Sequence, residues 1–200
     1  MISIKLFNPH ALIVLVISSL LVLTGPAQSF SSPLENALPN ASPSTTQDNT
    51  AVRVAFSPNG QAQELILQTI ASAKKSIKVA AYSFTSKPIS QALLEAKKRG
   101  VEVKVVADAK AGKGKYSAVT FLANHNIPVR LNENYAIFHH KFMIIDEKNI
   151  QTGSFNYSAA AANKNAENVV VLENMPQVAL AYAHEWQLLW DESQDLPPAY

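Results

Sequence analysis

Cysteine is absent from all 200 residues. That excludes disulfides, zinc ribbons, cysteine–histidine metal sites and a lipid anchor carried on cysteine. A chain without disulfides draws its stability from its core, and about 150 residues can bury one. Histidine is scarce: there are five, and only His139 and His140 are neighbours. No metal-ligand spacing is visible, so the chemistry is expected to need no metal and no cofactor. A strong excess of either charge is also missing. Of 17 basic and 15 acidic side chains, Lys5, Glu35 and Asp48 precede residue 51, leaving 16 basic and 13 acidic beyond it. That mild surplus points only weakly to nucleic acid. There is no internal repeat.

A long apolar span is lacking too. The stretch from Ala11 to Leu23 falls short of the about 20 residues that cross a bilayer. It follows Lys5 and precedes Thr24-Gly25-Pro26-Ala27, with small residues at the −3 and −1 positions of a cleavage site. Met1 to Ala27 therefore reads as a secretory signal peptide, and the mature protein as periplasmic or secreted. The alternative is an uncleaved membrane anchor. Gln28 to Thr50 is rich in Ser, Pro, Asn, Thr and Gln and reads as a flexible linker. The folded domain is expected over Ala51 to Tyr200.

Within that domain strand-like and helix-like stretches alternate. Val52 to Phe56 reads as a strand, Gln61 to Lys75 as a helix, and Ile77 to Phe84 as a buried strand. Ser86-Lys87-Pro88 opens a second helix, with Ile89, Ala92, Leu93 and Ala96 on one face. Lys97, Lys98 and Arg99 fill its last turn and Gly100 ends it. Val101 to Ala107 reads as a strand, Tyr116 to Asn124 as a short helix and Ile127 to Arg130 as a strand. The stretches ending at Ile145 and Gly153, and Glu167 to Leu172, read as further strands. Met175 to Trp190 reads as a final helix. Its Tyr182, Trp186 and Trp190, spaced by four, read as core rather than as a base-stacking surface. The early alternation predicts βαβ units. The fold class is α/β, a mixed and mostly parallel sheet flanked by helices.

The chemistry concentrates late in the chain. His139 and Lys141 are two apart and lead into the apolar run Phe142 to Ile145, so on a strand they share a face. Ser154 and Asn156 are also two apart, just past Gly153, and offer a hydroxyl and an amide. Gly153 lets a ligand approach its backbone closely. Phosphoryl transfer needs a nucleophile, charge stabilisation on the equatorial oxygens and a proton for the leaving oxygen. Neutral His139 can be the nucleophile. Lys141, Ser154 and Asn156 can hold the oxygens, each such donor being worth about 2–4 kcal/mol of barrier. Asp146 has the wrong parity to share their face and is expected to support the site through a salt bridge or a backbone contact. Glu167 can orient the imidazole through its second nitrogen, or be a solvated loop acid. Lys110, Lys113 and Lys115 share a loop with Gly112 and Gly114, which either wraps a phosphate backbone or is simply solvated. Taken singly, each of these residues has a bland reading as a strand end, a turn or a cap. His140 faces away from His139 on a strand and has no assigned role.

The residues His139, Lys141, Asp146, Gly153, Ser154 and Asn156 together spell H-x-K-x4-D-x6-G-S-x-N. This pattern resembles that of the phospholipase D superfamily, above all its small single-motif bacterial endonucleases. The resemblance implies a phospholipase D-like α/β sandwich and a metal-independent phosphodiesterase acting through a phosphohistidine. Glu167 then takes the place of the acidic partner of the histidine. The implied mechanism uses two histidines, a nucleophile and a general acid, yet His125 and His184 lack the pattern. The second copy is expected from an identical subunit, with the site on the two-fold axis of a homodimer. The expected substrate is nucleic acid, DNA with RNA left open, cut with little sequence specificity. No stable membrane association is expected once the signal is removed. The alternative is a membrane-anchored phospholipase D or cardiolipin-type hydrolase. A third class, a nucleic-acid-binding module that has lost activity, is disfavoured by intact His139, Lys141 and Asn156.

Overall fold

The computed structural model describes residues 49–59, 61–112 and 117–199. The expected signal peptide, all but the last two residues of the expected linker, and Lys113 and Lys115 lie outside the described residues. In chain order the elements are β1 (Ala51–Ser57), α1 (Gln61–Ser72), β2 (Ser76–Ala81), α2 (Lys87–Lys98), β3 (Glu102–Asp108), α3 (Ala109–Gly112) and α4 (Ala118–Asn124). There follow β4 (Val129–Asn132), β5 (Lys141–Ile145), β6 (Asn149–Gly153), α5 (Ala159–Asn163), β7 (Glu167–Glu173), α6 (Pro176–Asp191) and β8 (Gln194–Asp195).

The strands form one sheet in the order β1-β7-β6-β5-β2-β3-β4-β8. It is mixed and flanked by helices, as expected, but its parallel part is smaller than expected. Among the described strands only β2–β3 and β3–β4 pair in parallel. The connection between β5 and β6 is too short for a crossover and forces antiparallel pairing. The turn after β5 places Asp146 and Glu147 at φ 54 and 57, the left-handed pair that a tight hairpin needs.

The strand parity divides the core. Val79, Val105, Met143, Ile145, Val169 and Val171 face α1, α2, α4 and α5. Ala80, Val106, Phe142 and Ile144 face α6, where Trp186 and Leu189 cover them. Each of these Val, Leu, Ile, Met or Phe side chains contributes about 1.5–3 kcal/mol on burial. Trp186 also donates its indole N–H to the Val79 carbonyl at 2.9 Å, fixing α6 over the sheet centre. Helix α2 follows its sequence signals: the Ser86 hydroxyl accepts the Ile89 N–H, Pro88 sits in the first turn, and Ile89, Leu93 and Ala96 are buried.

Two expected elements end early for identifiable reasons. The first helix stops at Ser72 because the Asp146 carboxylate takes the backbone N–H groups of Lys74, Lys75 and Ser76 at 2.7–3.1 Å. The second strand stops at Ala81. Beyond it Tyr82 donates its N–H to the His140 carbonyl, and Phe84 bridges to Tyr157.

Burial pulls the Asp146 carboxyl pKa up. The N–H groups of Ser76, Lys75 and Lys74, with Lys148, outweigh that and hold it below its ordinary value. A depressed folded pKa means stability that is present above the unfolded pKa, about 3.9, and lost as pH falls through the folded value. Asp146→Asn is therefore expected to cost about 1–2 kcal/mol at neutral pH, in line with losing a charged acceptor of backbone N–H groups. Urea titrations of both proteins from pH 7 downward check this. The gap should close below about pH 4, and a gap independent of pH would refute the charge contribution.

Candidate active site

The carboxyl ends of β2 and β6 meet the amino ends of β5 and β7 on one rim of the sheet. Ala81 pairs with Lys141 and Gly153 with Val169. The parallel strands β2, β3 and β4 also end at this rim, the usual place for a site in an α/β sheet.

His139 lies two residues ahead of β5 and is exposed. Its ring is tilted against Tyr82, with centroids 5.0 Å apart. Lys141 starts β5 and is only 8 % exposed. Its Nζ donates to the His139 carbonyl at 2.8 Å and sits 5.6 Å from the centre of the Tyr82 ring. Burial lowers the Lys141 pKa, and the charge of Glu167 pulls it partly back. A desolvated ammonium and an accessible imidazole thus flank the Tyr82 ring and line one cavity. The peptide carrying His139 is anchored by Asp108, itself 3 % exposed. One Asp108 oxygen accepts the N–H groups of Lys110 and Ala111 and the other accepts that of Phe138.

Gly153 answers a packing need in addition to the ligand approach expected of it. Its φ is +144°, and a Cβ there would lie 2.3 Å from the Asn168 carbonyl oxygen. No other residue fits without parting β6 from β7. Ser154 follows, exposed, with its N–H on the Asn168 carbonyl. Its hydroxyl donates to Glu167 Oε2 at 2.5 Å and accepts the Asn168 backbone N–H at 3.1 Å. The other Glu167 oxygen accepts from Asn165 Nδ2 at 2.9 Å. Both Glu167 oxygens are engaged, and neither bond is to His139. Within the chain Glu167 orients Ser154 and acts on Lys141 by charge. The Ser154 proton is committed to Glu167, so Ser154 reaches a phosphate oxygen only by giving up that bond.

Asn156 is half-buried, and its Oδ1 is buried without a partner. The next residue, Tyr157, is fully buried. Its hydroxyl donates to Gln151 at 2.8 Å, and its carbonyl accepts the N–H groups of Thr85 and Ser86. The loop that presents Asn156 is therefore tied to the start of α2.

Asp146 is not brought to this rim. It lies past the far end of β5, about 16 Å from Lys141 by strand length, where it supports the fold through backbone N–H groups. Lys110 is exposed and reaches the Ala136 carbonyl, in the loop before His139, at 3.4 Å.

A cavity of about 440 Å³ opens beside His139 and Lys141. Its walls include His140, Phe142, Gly153, Tyr182 and Glu185. His140 thus belongs to the site's surroundings, although strand parity gave it no role. Its ring meets Phe138 and Phe142 edge-on, and its Nε2 lies 3.8 Å from Glu185. Burial lowers the His140 pKa, Glu185 opposes this, and Lys141 and His139 reinforce it. Tyr182 stands with its ring edge-on to Phe142, centroids 4.9 Å apart, while Trp186 is buried. The expected core stripe holds: Trp186 is buried, Tyr182 and Trp190 are partly buried against the same cluster, and Tyr182 also lines the cavity. Sequence reasoning missed Tyr82, Asp108 and Glu185. Of these only Asp108 carried a signal, as a cap residue between an apolar strand and Ala109-Lys110-Ala111.

A rim that sets an accessible imidazole beside a buried ammonium, with an amide on the adjacent loop, is built for phosphoryl transfer. The match to the family described as "Cardiolipin synthase, PLD-like domain" runs over residues 66–190. The chain belongs to the phospholipase D superfamily, in the general class of phosphodiesterases. Nuc from Salmonella typhimurium, a phospholipase D family member, is similar at 45% identity and TM-score 0.73, over 74% of this chain and 99% of that one. NucT from Helicobacter pylori matches with 26% identity and TM-score 0.68, also over 74% of this chain and 99% of that one. Among curated proteins, the "Phospholipase D" of Rickettsia prowazekii is 34% identical over 160 residues, 80% of this chain and 77% of that protein. The "Mitochondrial cardiolipin hydrolase" of Mus musculus is 31% identical over 127 residues, 64% of this chain but 57% of that protein.

Proposed function

We propose that the protein is a metal-independent nuclease of low sequence specificity, active as a homodimer. The observation that carries this reading is the pairing of exposed His139 with buried Lys141 on an open rim. The overlap with Nuc over nearly all of that chain supports it. Among the described residues no group of three or more His, Asp or Glu could hold a metal ion, so the charge work falls to Lys141 and the Asn156 amide. In the first step a His139 ring nitrogen forms a bond to phosphorus as the bond to the leaving oxygen breaks. The partner subunit's His139 gives that oxygen its proton. In the second step the partner's imidazole takes a proton from water, the water oxygen bonds to phosphorus, and the P–N bond breaks. A polymer strand can reach this rim because the cavity beside His139 and Lys141 is open to solvent.

The second reading is a phospholipid hydrolase, supported by the names of the Rickettsia and mouse relatives. Incubating the full chain with plasmid DNA, RNA and vesicles of anionic phospholipid, each with EDTA, separates the two. Nucleic acid cut in EDTA is the expected result. Hydrolysis of lipid alone would replace the proposal with the second reading. Activity lost in chelator and restored by a divalent ion would refute the metal-independent mechanism.

A further inference from the structure

The cavity beside His139 contains a group that phosphoryl transfer does not use. Glu185 projects from α6 one turn after Tyr182, so the two are neighbours on the helix surface. Tyr182 is pinned edge-on by Phe142, which leaves a fixed aromatic wall. At 3.8 Å the Glu185–His140 approach is too long for a hydrogen bond, so the carboxylate's acceptor sites are not spent on it. The cavity thus sets a carboxylate and an aromatic ring in its wall together with the attacking imidazole. About 440 Å³ lies within the range of small-ligand sites and admits a nucleobase.

We infer that this cavity is a nucleobase subsite, in which Glu185 accepts from the base edge and Tyr182 packs against the ring. This rests on the nuclease reading above. Guanine suits the surface best, since its N1–H and N2–H₂ lie side by side and match two carboxylate oxygens. Cytosine and adenine offer one amino group each. Thymine and uracil turn two carbonyl oxygens toward the carboxylate, flanking a single N–H. The protein is then not indifferent to sequence. It cuts next to guanine in preference to thymine, and it does so on unpaired strands, because a base in a duplex cannot enter the cavity.

The test uses single-stranded 17-residue oligodeoxynucleotides that are all thymine except for one central guanine, cytosine or adenine. Cut positions and rates are read for the wild type and for Glu185→Ala. Glu185 is exposed, so the variant is expected to fold. The expected wild-type result is cutting beside guanine about tenfold faster than at thymine steps, the size of one good two-bond base contact. In Glu185→Ala that ratio falls toward one. Even cutting by the wild type overturns the subsite and leaves the nuclease reading standing. A guanine preference that survives in Glu185→Ala overturns it too. If no oligonucleotide is cut while phosphatidylethanolamine vesicles are hydrolysed in a Glu185-dependent way, the cavity takes an ammonium headgroup, and both readings fall together.

Discussion

His139→Ala is expected to lower kcat/KM by about four orders of magnitude or more, the scale seen when a nucleophile is deleted. The fold should not follow. His139 is exposed, and its ring touches Tyr82 without being enclosed. A surface change of this kind moves stability by less than about 0.5 kcal/mol. The Lys141 bond to residue 139 also survives, because its acceptor is the backbone carbonyl. The variant thus deletes the imidazole while leaving the ammonium in place. His139→Asn keeps polarity at the position and is expected to be equally inactive. Steady-state rates alongside urea unfolding check both points. A well-folded variant that retains more than a few per cent of wild-type activity would mean that His139 is not the nucleophile.

The other large effect concerns assembly. Each chain supplies one H-x-K, while the proposed mechanism uses one imidazole to attack and another to protonate the leaving oxygen. A two-fold interface brings the same residue from both subunits to one place. Mixing wild type with a ninefold excess of His139→Ala chains, under conditions of subunit exchange, should therefore poison the wild type. Most wild-type chains then sit in dimers holding a single imidazole, and activity per wild-type chain falls about tenfold. Activity should also fall on dilution, in step with a dimer-to-monomer transition followed by sedimentation. Mixed dimers with half the parental activity, or a fully active monomer, would refute the two-histidine mechanism.

The sequence makes the site's chemistry legible but not its wiring. Spacing placed His139 and Lys141 at a strand start and Asn156 beyond the next strand, because strand parity is a local property. Parity also set Asp146 apart, and the structure gives it three N–H groups at the far rim. Glu167 shows where such reasoning ends. Its bonds to Ser154 and Asn165 depend on how β6 and β7 align, which no local pattern encodes. The same holds for Tyr82 and Glu185, which reach the site only through the packing of α6 and the β2–β5 ladder. Helices α3 and α5 and strand β8 went unread because elements of two to five residues carry no periodicity. They exist through contacts such as the Asp108 and Ser158 caps and the Arg130–Asp195 ion pair.

The interval between Lys141 and Asp146 is a ruler. Strand β5 fills it completely, so the four intervening residues measure the sheet from its reactive rim to its anchored one. An insertion of one residue there cannot be absorbed. If Asp146 keeps its grip on Lys74, Lys75 and Ser76, the ammonium rotates to the face under α6. If the ammonium stays beside His139, the turn at Ser72 loses its tether. A motif that looks like a string of reactive groups is in part a fixed length, and its aspartate marks where that length ends.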